Sequence, residues 1–226
     1  MLQMITHYEL ALHQIIINTT LPVMRPFHYN TIEQTAMAEF KDRGSKFIAY
    51  AYPAQSIDHC KKLVAQLKKE HAKAVHHCFA YRMGVDGLIF RVSDDGEPAG
   101  TAGRPILGQI DSKELTNILV VVVRYFGGSL LGVPGLINAY KTATSLALQL
   151  TPQIQKAVEL NYEINFDYHQ MNEVMMVLKQ YNCSVVSQSA QLFVSLKVGI
   201  PKIRLDEVMN KLNDLKGVSY ATTLVV

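Results

Sequence analysis

Apolar and polar positions alternate from Ala36 to Phe40, break at Asp42-Arg43-Gly44 and resume from Lys46 to Tyr52, which predicts a β-hairpin. The period then lengthens. Ser56 stands where an N-cap belongs, and Cys60, Leu63, Val64 and Leu67 recur at helical spacing as far as Glu70, with Lys61, Lys62, Lys68 and Lys69 on the wet side. Val75–Met83 and Leu88–Val92 read as strands joined by a turn at Gly84–Gly87, and a short helical turn is expected near Pro105–Ile110. Ile118–Val123 is wholly apolar and rich in β-branched residues, the pattern of a strand buried on both faces, and Arg124 ends the run. Gly127-Gly128 turns the chain, Pro134 is placed to open a helix at its first position, and Leu136, Tyr140, Ala143, Ala147 and Leu150 form that helix's core stripe.

Thr151-Pro152 ends this helix and marks the expected boundary between two domains. Beyond it the pattern gives strand (Val158–Phe166), helix (Tyr168–Gln180), strand (Ser184–Ser187), strand (Gln191–Val198), helix (Leu205–Leu215) and strand (Val218–Val225). That succession is the split βαβ, or ferredoxin-like, order, so the fold class is α+β. The expected division is an N-terminal extension over 1–27, a first domain over 28–150 and a second over 155–226.

Between the strands lies an unusual loop, S-D-D-G-E-P-A-G-T-A-G-R-P-I-L over Ser93–Leu107. Asp94, Asp95 and Glu97 crowd together, and Gly96, Gly100, Gly103, Pro98 and Pro105 rule out a regular strand. The stretch V-V-R-Y-F-G-G-S-L-L-G-V-P-G-L-I-N-A-Y follows and ends at Tyr140. Jointly, D-D-G-E-P-A-G-T-A-G-R-P-I-L and V-V-R-Y-F-G-G-x-x-L-G resemble the signature of the YigZ/IMPACT family. The residues that carry the resemblance are Asp94, Asp95, Gly96, Glu97, Pro98, Gly100, Thr101, Gly103, Arg104 and Pro105, then Arg124, Tyr125, Phe126, Gly127, Gly128, Gly132, Gly135 and Tyr140, with His76 and Cys78 also matching. The resemblance implies a two-domain cytoplasmic protein. Its first domain would be similar to the second domain of a small-subunit ribosomal protein, and its second to the last domain of elongation factor G. It also implies a role in regulating translation, with RNA, the ribosome or a translation factor as partner. Where the family reads L-G-T-G-G-L-V-R-A-Y, this chain has Val133, Pro134 and Asn138 for the Thr, Gly and Arg, so an anion held by those groups would be held less well here.

Composition narrows the classes. The chain has 226 residues, 49% of them hydrophobic and 18% charged, enough to bury a core and too apolar for disorder. Cys60, Cys78 and Cys183 are odd in number and lack C-x-x-C spacing, which points to reduced thiols and a cytoplasmic location. No apolar run reaches the roughly 20 residues of a membrane span. Residues 1–24 lack the regions of a secretory signal, and Met24 would begin a chain of more usual family shape. Net charge is only +3, but Lys41–Lys73 holds eight bases against three acids while Asp86–Glu114 holds six acids against three bases. This polarity can steer a charged partner.

Each chemical reading has a plainer rival. The acids could hold a divalent cation, face a basic partner or brace the loop against Arg91, Arg104 and Arg124; EF-hand spacing is absent and no metal is assigned. Gly127–Gly135 before a helix could cradle phosphate, or the glycines could serve close packing. His76 and Cys78 fall on one side of a strand, too few for zinc, and a His76–Asp94 contact beside a nucleophilic thiol competes with a hydrogen-bonded core histidine. Lys61, Lys62, Lys68 and Lys69 with Tyr50, Tyr52 and Tyr81 could present a basic, aromatic surface to RNA. The reading is a binding protein with no cofactor and no small-molecule substrate assigned. Its rivals are a small hydrolase or phosphate-ester enzyme using the acidic loop, and a pure protein-binding adaptor.

Overall fold

A computed structural model describes residues 27–190 and 192–223. The expected N-terminal extension up to residue 26, with the start at Met24, lies outside the described residues, as does the end of the last expected strand. The first half is built on a five-stranded antiparallel sheet. Its strands are β2 (Ala36–Asp42), β3 (Ser45–Pro53), β4 (His76–Met83), β5 (Ile89–Ser93) and β6 (Ile118–Tyr125), in the order β2-β3-β6-β4-β5. The β2–β3 turn has positive φ at both central residues, Arg43 at 44° and Gly44 at 77°, the geometry whose twist suits a two-residue hairpin.

Helix α1 (Ile57–Glu70) covers one face of this sheet, and α2 (Gly103–Asp111) and α3 (Gly132–Gln149) cover the other. As β6 is central and covered on both faces, Ile118–Arg124 is buried throughout, which accounts for its unbroken apolar run. The strand runs on through Arg124 to Tyr125 instead of ending before it. Ser56 caps α1 as its position predicts, its side chain accepting from the His59 N–H at 3.0 Å.

Both helices on the opposite face begin earlier than the pattern suggests. Helix α2 starts at Gly103 because its first N–H groups find an acceptor in the preceding loop. Helix α3 starts at Gly132, which puts Pro134 third in the helix rather than first. The ring is tolerated there because the first four N–H groups of a helix have no internal partner. Leu150 lies past the end of α3 and is 66% exposed, so it leaves the expected core stripe, which runs through Leu136, Ala139, Tyr140, Ala143 and Ala147.

A two-stranded ribbon, unforeseen in the pattern, pairs β1 (His28–Ile32) with β7 (Gln153–Ala157) antiparallel. Thr151, at the expected boundary, is buried and donates from its Oγ1 to the Gln34 carbonyl at 2.9 Å. The remaining strands, β8 (Glu159–Phe166), β9 (Ser184–Ala190), β10 (Val194–Pro201) and β11 (Ser219–Thr222), form an antiparallel sheet in the order β11-β8-β10-β9. Helices α4 (Met171–Gln180) and α5 (Leu205–Asn213) pack on one face around Ile164, Phe166, Val174, Leu196 and Val208. The β-α-β-β-α-β succession is present, with β9 longer and β10 shifted towards its C-terminal end relative to the expected spans. The whole is an α+β structure. Among the described residues no helix is long and apolar enough to cross a membrane.

Candidate functional site

The acidic loop joins β5 to α2, and its acids turn inward. Asp95 takes φ 41° and Gly96 φ 90°, so the chain reverses on itself beside β4. Asp94 becomes the acceptor for the start of α2. Its Oδ1 takes the N–H groups of Ala102 at 3.0 Å and Gly103 at 2.8 Å, and its Oδ2 takes that of Gly100 at 2.8 Å. Burial pushes the Asp94 carboxyl up, but those three N–H groups, helped by the nearby Arg104 charge, outweigh it and hold the group below its ordinary value. Gly103 is required because a Cβ there would lie 2.8 Å from the Ser93 nitrogen.

Asp95 bridges two elements. Its Oδ1 accepts from Lys68 Nζ of α1 at 2.7 Å, and its Oδ2 accepts from the His77 backbone N–H of β4 at 2.7 Å. Burial again pushes this carboxyl up, and the Lys68 and His77 hydrogen bonds bring it below the ordinary value. The Asp95 carbonyl lies 2.8 Å from His76 Nδ1.

Glu97 is the most buried of the three acids, at 8% exposure. Its Oε1 accepts from Arg124 Nη1 at 2.6 Å and from the Tyr140 hydroxyl at 2.7 Å, with His76 Nε2 at 3.9 Å. Arg124 stacks over Phe47 and Phe126, and its Nη2 reaches Ser45 Oγ at 3.4 Å. Its Nε is buried without a hydrogen-bond partner among the described residues. Cys78 stands beside this group, its thiol 2.9 Å from the Asp94 carbonyl oxygen and 3.3 Å from the Tyr140 hydroxyl. Burial pushes the Cys78 thiol far above its ordinary value, and the Tyr140 hydroxyl likewise, so both stay protonated at neutral pH.

Several expectations are thereby resolved. Of the three candidate arginines, Arg124 is the one that pairs with the loop; no hydrogen bond from Arg91 or Arg104 to the acids is found among the described residues. His76 meets the Asp95 carbonyl, not the Asp94 carboxylate, which is already occupied. Glu97, expected nearest the outside of the loop, is instead innermost, drawn in by Arg124 and Tyr140. Among the described residues no group of three or more His, Cys, Asp or Glu side chains is arranged to hold a metal ion. The Gly127 backbone lies directly against the β2–β3 turn: a Cβ on it would overlap the Gly44 carbonyl carbon and the Ser45 nitrogen, and its N–H donates to Ser45 Oγ at 3.2 Å. Close packing is therefore reason enough for that glycine.

The outer residues are arranged differently. Lys61 pairs with Asp58 at 2.9 Å and Lys68 with Asp95, whereas Lys62 and Lys69 are exposed on α1 without an ion-pair partner among the described residues. Tyr50 and Tyr52 stack at 6.2 Å, and Tyr50 joins a chain through His71 to the Tyr125 hydroxyl, with 2.8 Å at each step. Tyr81 is only 6% exposed, so it offers an edge, not a face, to solvent. Ser45, Lys68 as a partner of Asp95, and the Tyr50–His71–Tyr125 chain carry no sequence signal, since each joins residues far apart in the chain.

Residues 43–148 match the Impact N-terminal domain. The Escherichia coli protein IMPACT family member YigZ is 38% identical over 183 residues, 80% of this chain and 88% of that protein. An IMPACT family member of Haemophilus influenzae is 34% identical over 188 residues, 82% of this chain and 91% of that one. The chain belongs to the IMPACT family. A crystal structure described as a hypothetical protein is 30% identical and aligns with a TM-score of 0.69, covering 88% of this chain and 98% of its own. The matched region of this IMPACT-family chain holds both signature stretches, Ser93–Leu107 and Leu119–Tyr140, and therefore every group of the buried Glu97–Arg124–Tyr140 cluster.

Proposed function

We propose that this protein is a cytoplasmic, translation-associated regulator that acts by binding, with RNA, the ribosome or a translation factor as partner. The observation that carries this reading is the inward commitment of the signature. Asp94 caps a helix, Glu97 is neutralised by Arg124 in the interior, and Cys78 is a protonated core thiol. A hydrolase would need these groups facing a substrate, with a thiol or carboxylate free to react. Family membership supports the link to translation. So does the β-α-β-β-α-β half, whose order is that of a ferredoxin-like domain such as the last domain of elongation factor G, and on this reading residues 28–150 and 155–226 act as two domains. The resemblance of the first half to a ribosomal-protein domain belongs to the same proposal.

Lys62 and Lys69 of α1, exposed and without an ion-pair partner among the described residues, are the natural contacts for phosphate. Pulldown from native lysate with and without nuclease tests the reading, with ribosomal material expected and lost on nuclease treatment if RNA carries the contact. Changing Lys62 and Lys69 to Gln should flatten the salt dependence of RNA affinity by a log–log slope of about 1.4 for single strands, roughly 0.7 for each phosphate contact. An unchanged slope removes this face from the proposal, and a lysate that yields no translation component removes the proposal itself.

A further inference from the structure

The free edge of the first sheet carries a second feature. Among the described residues strand β5 pairs only with β4, and Leu88 just before it and Ile89 and Phe90 at its start are 72%, 51% and 56% exposed. Proteins ordinarily protect such an edge with charge, proline or cover, because its unpaired N–H and C=O groups are a template for another strand. Here three consecutive large apolar residues are left in the open. Beside the edge, between β4–β5 and α1, runs a groove of about 330 Å³ lined by Cys60, Val64, Ala65, Phe79 and Tyr81, with Lys61, Lys68 and Arg91 at its rim. Phe79 and Tyr81 lie parallel with centroids 6.4 Å apart, giving a flat apolar floor.

An edge strand beside a groove roofed by a helix is the arrangement that takes an extended peptide as an added strand, alternate side chains entering the groove. The register fixes which β5 residues look into it: Arg91 stands opposite Tyr81 and Ile89 opposite Met83, both on the α1 side of the sheet. The rim charge then selects the occupant. The groove is lined by three cations and no acid, and Lys61 and Lys68 are each offset by a single carboxylate, whereas Arg91 has no ion-pair partner among the described residues. A second copy of the chain pairing edge to edge would bring Arg91 near Arg91 and two sets of rim cations together, which is repulsive. RNA would satisfy the cations but not the aliphatic Leu88–Ile89 edge or its unpaired backbone groups.

We propose that β5 and the α1–β5 groove dock an extended protein segment that alternates aliphatic and acidic residues, added as a further strand. The proposal rests on the reading of the protein as one that acts by binding, and it assigns the protein partner to a surface distinct from the Lys62 and Lys69 side of α1.

The test uses the full chain and a short N-acetylated peptide alternating valine with glutamate, labelled for fluorescence polarisation. A valine–lysine peptide serves as control, and an oligouridylate as competitor. The valine–glutamate peptide is expected to bind, to protect the outward-facing backbone amides of Ile89–Arg91 from hydrogen exchange, and to lose roughly ten-fold in affinity in Arg91→Glu. Ile89→Lys, also on an exposed position, should weaken it without changing the melting temperature. Equal binding of the valine–lysine peptide, protection elsewhere, or indifference to Arg91→Glu overturns the proposal. Displacement by oligouridylate with no amide protection in β5 assigns the groove to RNA instead, and a concentration-dependent dimer abolished by Ile89→Lys assigns it to a second copy. Failure of this test leaves the ribosome pulldown unaffected, so the two proposals stand or fall separately.

Discussion

Removing the Glu97 carboxylate should be among the most damaging single changes in the chain, although the acid lies in a loop. Its side chain is 3% exposed and that of Arg124 is 6% exposed. Two charges taken out of water are held there by one short contact at 2.6 Å, the Tyr140 hydroxyl on the same oxygen, and the Phe47 ring against the guanidinium. Such a pair adds little net stability compared with apolar residues of the same volume, but removing one partner leaves the other charge buried and unmatched, at about 3–5 kcal/mol. Arg124 has little scope to recover, since its Nε lacks a partner among the described residues and its Nη2 reaches Ser45 Oγ only at 3.4 Å. Glu97→Ala should therefore lower the melting temperature by about 6–20 °C, taking 2–4 °C for each kcal/mol in a chain of this size. Urea unfolding read by circular dichroism gives the free energy directly. The double change Glu97→Leu with Arg124→Met should recover much of the loss, because it removes both charges and keeps the volume. A Glu97→Ala loss below about 1 kcal/mol, the level of an exposed pair, would refute the buried-pair account. So would strict additivity of the two sites in the cycle.

Three further outcomes follow from the same geometry. Gly127→Ala should cost about 1–3 kcal/mol or more by forcing the β6 end away from the Gly44 turn, whereas Gly108→Ala, where a Cβ meets nothing within 4 Å, should stabilise α2 by up to about 1 kcal/mol in thermal unfolding. Asp94 has a folded-state pKa held below its unfolded value, so its contribution is present above about pH 4 and is lost as pH falls through the lower folded value; an acid titration of stability in Asp94→Asn should lack that component. Thiol titration of the native protein near neutral pH should label Cys78 last, because burial holds it protonated, while Cys183, half-buried and pushed up to about 11, reacts first as pH is raised.

Periodicity made the hairpin, α1, β6 and the β-α-β-β-α-β half legible, since each buries a face whose spacing is local. The β1–β7 ribbon was not, because Gln153–Ala157 is too short and polar to show alternation and its partner lies at the other end of the first sheet's chain segment. The start of α2 was missed for a related reason: its acceptor is Asp94, eight residues before Ala102, not the residue at the helix boundary. At the site, residue types could be read, but not their direction. Three acids among glycines look solvent-facing, and only the positive φ at Asp95 and Gly96 turns Glu97 under the loop to meet Arg124. Which arginine it would meet depended on β6 running two residues further than its apolar run, through Arg124 to Tyr125.

The same registration bears on Val133, Pro134 and Asn138, which stand where the family pattern has Thr, Gly and Arg. Treated as one anion site, those positions would have to converge. In α3 they do not: positions 133 and 138 are five residues apart, so their side chains leave the helix about 140° from each other. Asn138 shares a shallow hollow with Gln109, Lys141 and Ser145 between α2 and α3, whereas Val133 is absent from that hollow and is exposed in the first turn of the helix. Helical side chains lean towards the N-terminus, so an arginine at 138 would lie over Pro134 and Gly135 and not over position 133. Pro134 also removes one of the free N–H groups that an anion at this end would use. Asn138→Arg alone should therefore give no phosphate-dependent rise in melting temperature, and neither should Asn138→Arg combined with Val133→Thr. Adding Pro134→Gly restores the missing N–H and is the change that could create such a response. A rise with inorganic phosphate in Asn138→Arg, by the mass-action amount expected for a ligand that binds only the folded state, would show that the three positions do act on one anion and that the helix-face argument fails.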